Sequence, residues 1–210
     1  MDVDLQSFKQ ELEQELHRIL QYWIQHAVDD RYGGFFGKID NDNTCHPNAP
    51  KGAVLHARIL WTFSAACIHA KEPVYIKMAR RAYQYILDHF IDHKYGGVYW
   101  RVDHRGAHPD DRKQIYALAF VIYGCSEYYR ATQWEPAREL AIHLYELIQR
   151  FSFDVQHGGY LEAFTADWQP IADLRLSEQD ANEKKTMNTH LHVLEAYTSL
   201  YGIWPDPALE

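Results

Sequence analysis

Apolar residues recur every three or four positions at Leu5, Phe8, Leu12, Leu16, Ile19, Leu20, Trp23 and Ala27. That period predicts a helix from about Leu5 to Val28 with one buried face. After Tyr32-Gly33-Gly34 the pattern breaks, and Phe35 to Pro50 is turn-rich, which predicts a short hairpin. A second helix follows from about Gly52 to Ala70, apolar around most of its circumference and so expected to be covered on several sides. The plan then repeats. Pro73 suits the first turn of a third helix reaching about Asp92, because its missing N–H costs nothing there. Val98, Tyr99, Trp100, Arg101 and Val102 predict a short strand pair within an excursion from Tyr95 to Pro109. A nearly all-apolar fourth helix is expected over about Arg112 to Arg130, and an amphipathic fifth opens at Pro136. A longer excursion through Trp168 and Asp180 leads to a sixth helix from about Lys185 to Tyr201.

The repetition is explicit in the residues. Asp29, Tyr32, Gly33, Gly34 and Phe35 are echoed by Asp92, Tyr95, Gly96, Gly97 and Tyr99, and again by Asp154, His157, Gly158, Gly159 and Tyr160. The first glycines lie 63 and then 62 residues apart, and Glu72-Pro73, Glu135-Pro136 and Asp206-Pro207 run in step. A fixed period of this length marks a duplicated supersecondary unit. Each unit is an amphipathic helix, a Gly-Gly excursion and a more apolar helix, with boundaries near 1–70, 71–131 and 132–203. Amphipathic helices belong in an outer layer and apolar ones in an inner layer. The expected fold is therefore all-α: three helical hairpins, about half of an (α/α)6 toroid, with short β-hairpin excursions. Asp206-Pro207 reads as a further helix start, so residues 1–210 read as the N-terminal half of a longer barrel lacking its C-terminal half. A complete small helical domain with a frayed tail is the other reading.

Composition narrows the function. The net charge of -8 argues against nucleic acid, which requires clustered Lys and Arg. Cys45, Cys67 and Cys125 are odd in number, far apart and without metal spacing, as expected of reduced cysteines in a cytoplasmic protein. The start lacks a signal-peptide pattern, and no apolar run is expected to reach membrane-spanning length. Aromatics reach 14%, a surplus suited to stacking flat ligand faces.

The sixth helix holds the densest polar set. His190 and His192, two apart, diverge on a helix and cannot chelate one metal together. Asn188, His192 and Glu195 share a face. Arg58 in the second helix has apolar neighbours Val54, Leu55 and Trp61, so a buried guanidinium there would need a structural salt bridge or an anionic ligand. Tyr116 opens the fourth helix and is explained by packing or by a site. Arg58, Tyr116 and His192 fall on the inner helices of units one, two and three respectively.

The run Lys51-Gly52-Ala53-Val54-Leu55-His56-Ala57-Arg58-Ile59-Leu60-Trp61, the Gly-Gly excursions and the run Lys185 to Tyr197 resemble the N-acylglucosamine 2-epimerase family over essentially the whole chain. The branch most resembled acts on cellobiose. The resemblance implies an (α/α)6 barrel and an isomerase working without metal or nicotinamide cofactor. The implied reaction epimerises C2 of the reducing-end glucose of a β1,4-linked disaccharide by proton abstraction and return through an enediolate. It implies that Arg58 contacts the enediolate oxygens, that Asn188 and His192 bind the reducing-end sugar with His192 aiding ring opening, that Tyr116 lines the subsite, and that Asp180 also contacts substrate. It places the two proton-transferring histidines beyond Glu210, so this chain alone is expected to be inactive, and self-association of the half barrel is expected. An N-acylglucosamine epimerase, a mannose or other aldose–ketose isomerase, an inverting glycoside hydrolase and a non-catalytic carbohydrate-binding repeat are the alternatives.

Overall fold

A computed structural model describes residues 4–107 and 110–209. Six α-helices dominate: α1 Leu5–His26, α2 Ala53–Ala70, α3 Pro73–Tyr85, α4 Ile115–Thr132, α5 Glu135–Phe151 and α6 Met187–Tyr201. A π-helical turn, Ile86–Phe90, extends α3, and a 3-10 turn, Pro207–Leu209, follows α6. That turn, with Asp206 Oδ1 accepting from the Ala208 N–H at 2.8 Å, is all that the described residues show of the expected seventh helix.

The inner helices α2, α4 and α6 pack side by side, while α3 lies on α2 and α5 on α4. Each outer helix therefore rests on the inner helix of the preceding unit. The α2–α4 approach is close enough that a Cβ on Gly124 would meet the Ala57 carbonyl oxygen at 2.7 Å. The inner helices are the core: Ala53, Ala57, Leu60 and Phe63 of α2 and Ile115, Leu118, Val121 and Ile122 of α4 are fully buried.

Three features depart from the sequence expectation. The α1 stripe is not a buried face: Leu5, Phe8, Leu12, Leu16 and Ile19 are exposed and within the helix only Leu20 is fully buried, because among the described residues no inner helix packs along it. Within the first excursion the expected hairpin closes through an antiparallel bridge between Ile39 and Cys45, but the two-residue strand pairs join successive excursions. Strand β1 (Lys51–Gly52) pairs antiparallel with β2 (Arg101–Val102), and β3 (Lys113–Gln114) with β4 (Ala163–Phe164). Pro109, the expected end of one excursion, lies outside the described residues. Finally, α2 does have the length and apolarity of a membrane span, with mean hydropathy 1.2 over 18 residues. Its packing against α3 and α4 accounts for that apolarity.

The excursions share one construction. Asp29 Oδ1 accepts from the N–H groups of Arg31 and Tyr32, Asp92 Oδ1 from Lys94 and Tyr95, and Asp154 Oδ1 from Gln156 and His157. The N–H of each aspartate donates to the carbonyl of the second glycine: Gly34, Gly97 or Gly159. Both glycines of every pair have positive φ, from 61° to 83°, a left-handed backbone that a Cβ disfavours. The other carboxylate oxygen takes a lysine from the start of the next inner helix: Lys51 to Asp29 at 2.7 Å, Lys113 to Asp92 at 2.5 Å and Lys185 to Asp154 at 2.7 Å. In units one and three a histidine completes the joint. His56 Nε2 accepts from the Phe35 N–H and His190 Nε2 from the Tyr160 N–H. Unit two has Leu118 at that register.

Candidate active site

The lysines set a common register for the inner helices. Seven residues after Lys51, Lys113 and Lys185 stand Arg58, Phe120 and His192, and ten residues after stand Trp61, Tyr123 and Glu195. These six residues, with Thr62, line one cavity of about 260 Å³. Adjacent parallel-stacked units aim the same helical position at the same place, so three repeats bring three different chemistries to one concavity.

Within it, His192 is part-buried and its Nδ1 lies 2.9 Å from Glu195 Oε2. A carboxylate only accepts, so in the neutral imidazole the proton sits on Nδ1 and the Nε2 lone pair is left free. The imidazole is wedged between aromatic rings, 4.4 Å from the Phe120 centroid and 4.8 Å, edge-on, from that of Tyr116. The Arg58 guanidinium lies 5.7 Å from the other wall of the site, the Phe120 ring. Trp61 and Tyr123 stack at 5.0 Å with 12° between planes, forming a flat aromatic platform. Burial, and then the charges of Glu195 and Glu127, push the Tyr123 phenol up to about 12, so it stays a hydrogen-bond donor.

Sequence reasoning placed Arg58, Tyr116, Asn188 and His192 in one site, and the geometry brings all four together. Arg58 and His192 share the cavity. Tyr116 adjoins through His192, and burial raises its phenol while Arg58 and a hydrogen bond with Asn188 pull it down. Asn188 and Tyr116 are themselves register equivalents, three residues after their lysines. One expectation needs correction: Arg58 is not a buried guanidinium but an exposed one, and it makes no ion pair among the described residues. Asp180 lies outside the cavity but shares a groove with Asn188. It is exposed, accepts from the Ser177 N–H and hydroxyl at 2.8 Å each, and lines a separate groove of about 120 Å³ with Glu162, Arg175 and Asn188.

Several participants escaped the sequence reading. Phe120, Trp61 and Tyr123 looked like core, and the three loop-anchoring lysines went unremarked. Aligning the units on their Asp and Gly-Gly pairs and then on the following lysine would have exposed all of them. Glu162 was also missed: buried, it accepts from the Thr186 N–H at 2.6 Å and the Thr189 hydroxyl at 2.5 Å, clamping the first turn of α6 from which Asn188 and His192 project.

Comparison with known proteins agrees with this architecture. Residues 34–207 match the N-acylglucosamine 2-epimerase (GlcNAc 2-epimerase) family. The cellobiose 2-epimerase of Bacteroides fragilis is 52% identical over 203 residues, covering 96% of this chain and 52% of its own length. That of Dictyoglomus turgidum is 37% identical over 99% of this chain and 53% of its own. The solved cellobiose 2-epimerase of Bacillus thermoamylovorans superposes with a TM-score of 0.92 at 42% identity, over 98% of this chain and 53% of that one. The chain thus spans about half the length of the relatives it matches, and its three hairpins are about half of an (α/α)6 barrel. On the match over residues 34–207 and these identities, the chain belongs to the N-acylglucosamine 2-epimerase family.

Proposed function

We propose that this chain carries the sugar-recognising half of a 2-epimerase site for the reducing-end glucose of a β1,4-linked disaccharide such as cellobiose. The observation that carries the reading is Arg58: an unpaired guanidinium sharing a cavity with a tautomer-fixed imidazole and a stacked aromatic platform. The C2 proton of an open-chain aldose is acidified by the adjacent carbonyl. Its removal develops negative charge on the carbonyl oxygen O1, where a guanidinium lowers the barrier without exchanging protons. His192, as the neutral imidazole, is fitted to take the anomeric hydroxyl proton at Nε2 and return it to the ring oxygen as the ring opens. Return of the carbon-bound proton to the opposite face of C2 yields the mannose configuration. On the family resemblance the imidazoles that move it lie outside residues 1–210. A paired-carboxylate hydrolase fits less well, because Glu195 is the cavity's single carboxylate among the described residues and is engaged by His192.

The test supplies the missing wall. The chain is co-expressed with the remaining half of the Bacteroides fragilis relative, and C2 deuterium incorporation into cellobiose in D2O is followed by NMR. The mixture should catalyse exchange while the chain alone should not. Arg58→Ala and His192→Ala should each lower the rate at least about tenfold. Arg58→Ala should shift stability by no more than about 0.5 kcal/mol, as for a surface side chain without partners. Exchange by the chain alone, scaling with its concentration, would overturn the half-site reading. So would unchanged rates in both variants.

A further inference from the structure

The third excursion is longer than the other two, and its extra length is tied down at one point. The second glycine of each pair precedes the next lysine by 17 residues in unit one (Gly34 to Lys51), 16 in unit two (Gly97 to Lys113) and 26 in unit three (Gly159 to Lys185). The insertion follows the returning arm of the excursion. Asp110, bridged to Arg101, lies three residues before Lys113, whereas Pro170, bridged to Phe164, lies fifteen before Lys185. Residues 172–183 brace themselves. Asn182 accepts from the Leu174 N–H and donates to the Ala172 carbonyl, both at 2.9 Å, and Arg175 holds Asp173 at 2.8 Å. Among the described residues one hydrogen bond joins this segment to another element: Gln114 Nε2 donates to the Arg175 carbonyl at 3.1 Å.

Gln114 is fully buried, and its amide oxygen has no partner among the described residues. Packing does not account for an amide there, because a half-satisfied buried amide costs more than an apolar side chain of its size. The repeat register does account for it. The residue after the lysine sits in the strand that pairs with the next excursion, β1 with β2 and β3 with β4. Unit one, facing the short second excursion, has Gly52 at that position, where a Cβ would meet nothing within 4 Å. Unit two, facing the long third excursion, has Gln114. In unit three Thr186 stands there and caps α6 through the Thr189 N–H. The long side chain thus occurs where there is an inserted segment for it to hold.

We propose, on the sugar-site reading above, that Gln114 is a positioning residue: it latches residues 172–183 as a wall of the sugar site. Leu174, Leu176 and Ala181 of the segment line the groove that Thr186 and Asn188 line from the start of α6. The latched segment therefore borders the Asn188 side of the site. With the latch released the wall is formed for only part of the time, and apparent affinity falls by that fraction.

Trypsin reads the latch directly on this chain, because the carbonyl it must attack at Arg175–Leu176 is the one that Gln114 holds. Cleavage there under native conditions, followed by mass spectrometry, tracks the population of the released segment. Gln114→Met removes the amide at nearly constant size and should raise the rate about fivefold, the worth of one neutral hydrogen bond. Cleavage at exposed Arg105 in the second excursion should not change. Gln114→Asn keeps the amide but is one methylene too short, so it should act in the same way and serves if the methionine variant does not fold. The co-expressed halves then read function: Gln114→Met should raise KM for cellobiose about two- to fivefold, with kcat within about twofold of the parent. Equal cleavage at Arg175 in the parent and both variants would overturn the latch, as would a parallel rise at Arg105, the sign of general loosening. Faster cleavage with unchanged KM would overturn its role at the site. Absence of exchange from the unaltered pair of halves would instead refute the sugar reading, with the latch still judged by trypsin.

Discussion

Replacing Lys113 by Met should be among the most destabilising single substitutions in this chain. Its ammonium, 2.5 Å from Asp92 Oδ2, has a fully buried side chain, and that of Asp92 is 2% exposed. Burial lowers the lysine against the pull of Asp92. Burial alone would raise the Asp92 carboxyl, but hydrogen bonds from Lys113 and from the Tyr95 and Lys94 N–H groups outweigh it and hold the group below the usual carboxylate range. Lys113→Met keeps the apolar stem and strands a buried carboxylate, a change that costs about 3–5 kcal/mol. That is a large share of the roughly 5–15 kcal/mol that separates folded from unfolded domains. Lys51→Met should behave alike, since Lys51 and Asp29 are both 1% exposed. Lys185→Met should cost much less, because Lys185 and Asp154 are 27% and 20% exposed and water can replace the lost partner. Urea unfolding followed by tryptophan fluorescence, at one protein concentration so that association does not intrude, gives the three values. Equal losses for Lys113→Met and Lys185→Met would refute the argument that burial sets the worth of the joint.

Two further outcomes follow from the same loops. Gly158 and Gly159 both have positive φ, at 67° and 74°, but a Cβ on Gly158 meets nothing within 4 Å whereas one on Gly159 would lie 2.6 Å from His190 Nε2. Gly158→Ala should therefore cost about 1–2 kcal/mol of backbone strain, and Gly159→Ala measurably more in thermal unfolding, with loss of the His190–Tyr160 hydrogen bond. Acid should also destabilise the chain. The Asp29, Asp92 and Asp154 carboxyls are all held below their ordinary value, Asp154 chiefly by Lys185. A depressed carboxyl contributes stability that is present above the unfolded value of about 3.9 and lost as pH falls below it. Stability measured from neutrality downward should drop across that range, and less steeply in Asp92→Asn.

The helices were legible because apolar period and Gly-Gly punctuation are local signals. Element ends shifted by only a few residues, as at α6, which begins at Met187 rather than Lys185. The fate of α1 was not legible. Its stripe has the period of a covered face yet lies exposed among the described residues, and periodicity says nothing of whether or by what a face is covered. The inter-excursion strand pairs were hidden for the same reason: Lys51–Gly52 and Arg101–Val102 are about fifty residues apart and too short to carry a pattern. At the site, charge and helical spacing singled out Arg58 and His192. The aromatic wall between them was missed because Phe120 looks apolar in sequence whether it lines a core or a cavity.

The division between scaffold and site follows from the repeat itself. Positions that hold each unit to the next are kept in triplicate: the aspartate with its two N–H bonds, the left-handed glycine pair and the lysine reaching back to it. They fix the start of every inner helix against the preceding loop, so side chains seven and ten residues later arrive at the concavity in a set order. At those positions the copies differ completely: Arg58, Phe120 and His192 in one tier, Trp61, Tyr123 and Glu195 in the next. A symmetric scaffold requires equivalent helix placement, whereas a site for an asymmetric ligand requires unlike groups around it. Duplication supplies the first and divergence at two register positions supplies the second. The third unit departs furthest, adding Glu162 to clamp the first turn of α6 where the lysine joint is more exposed. The helix bearing the imidazole is thereby held by two acids rather than one.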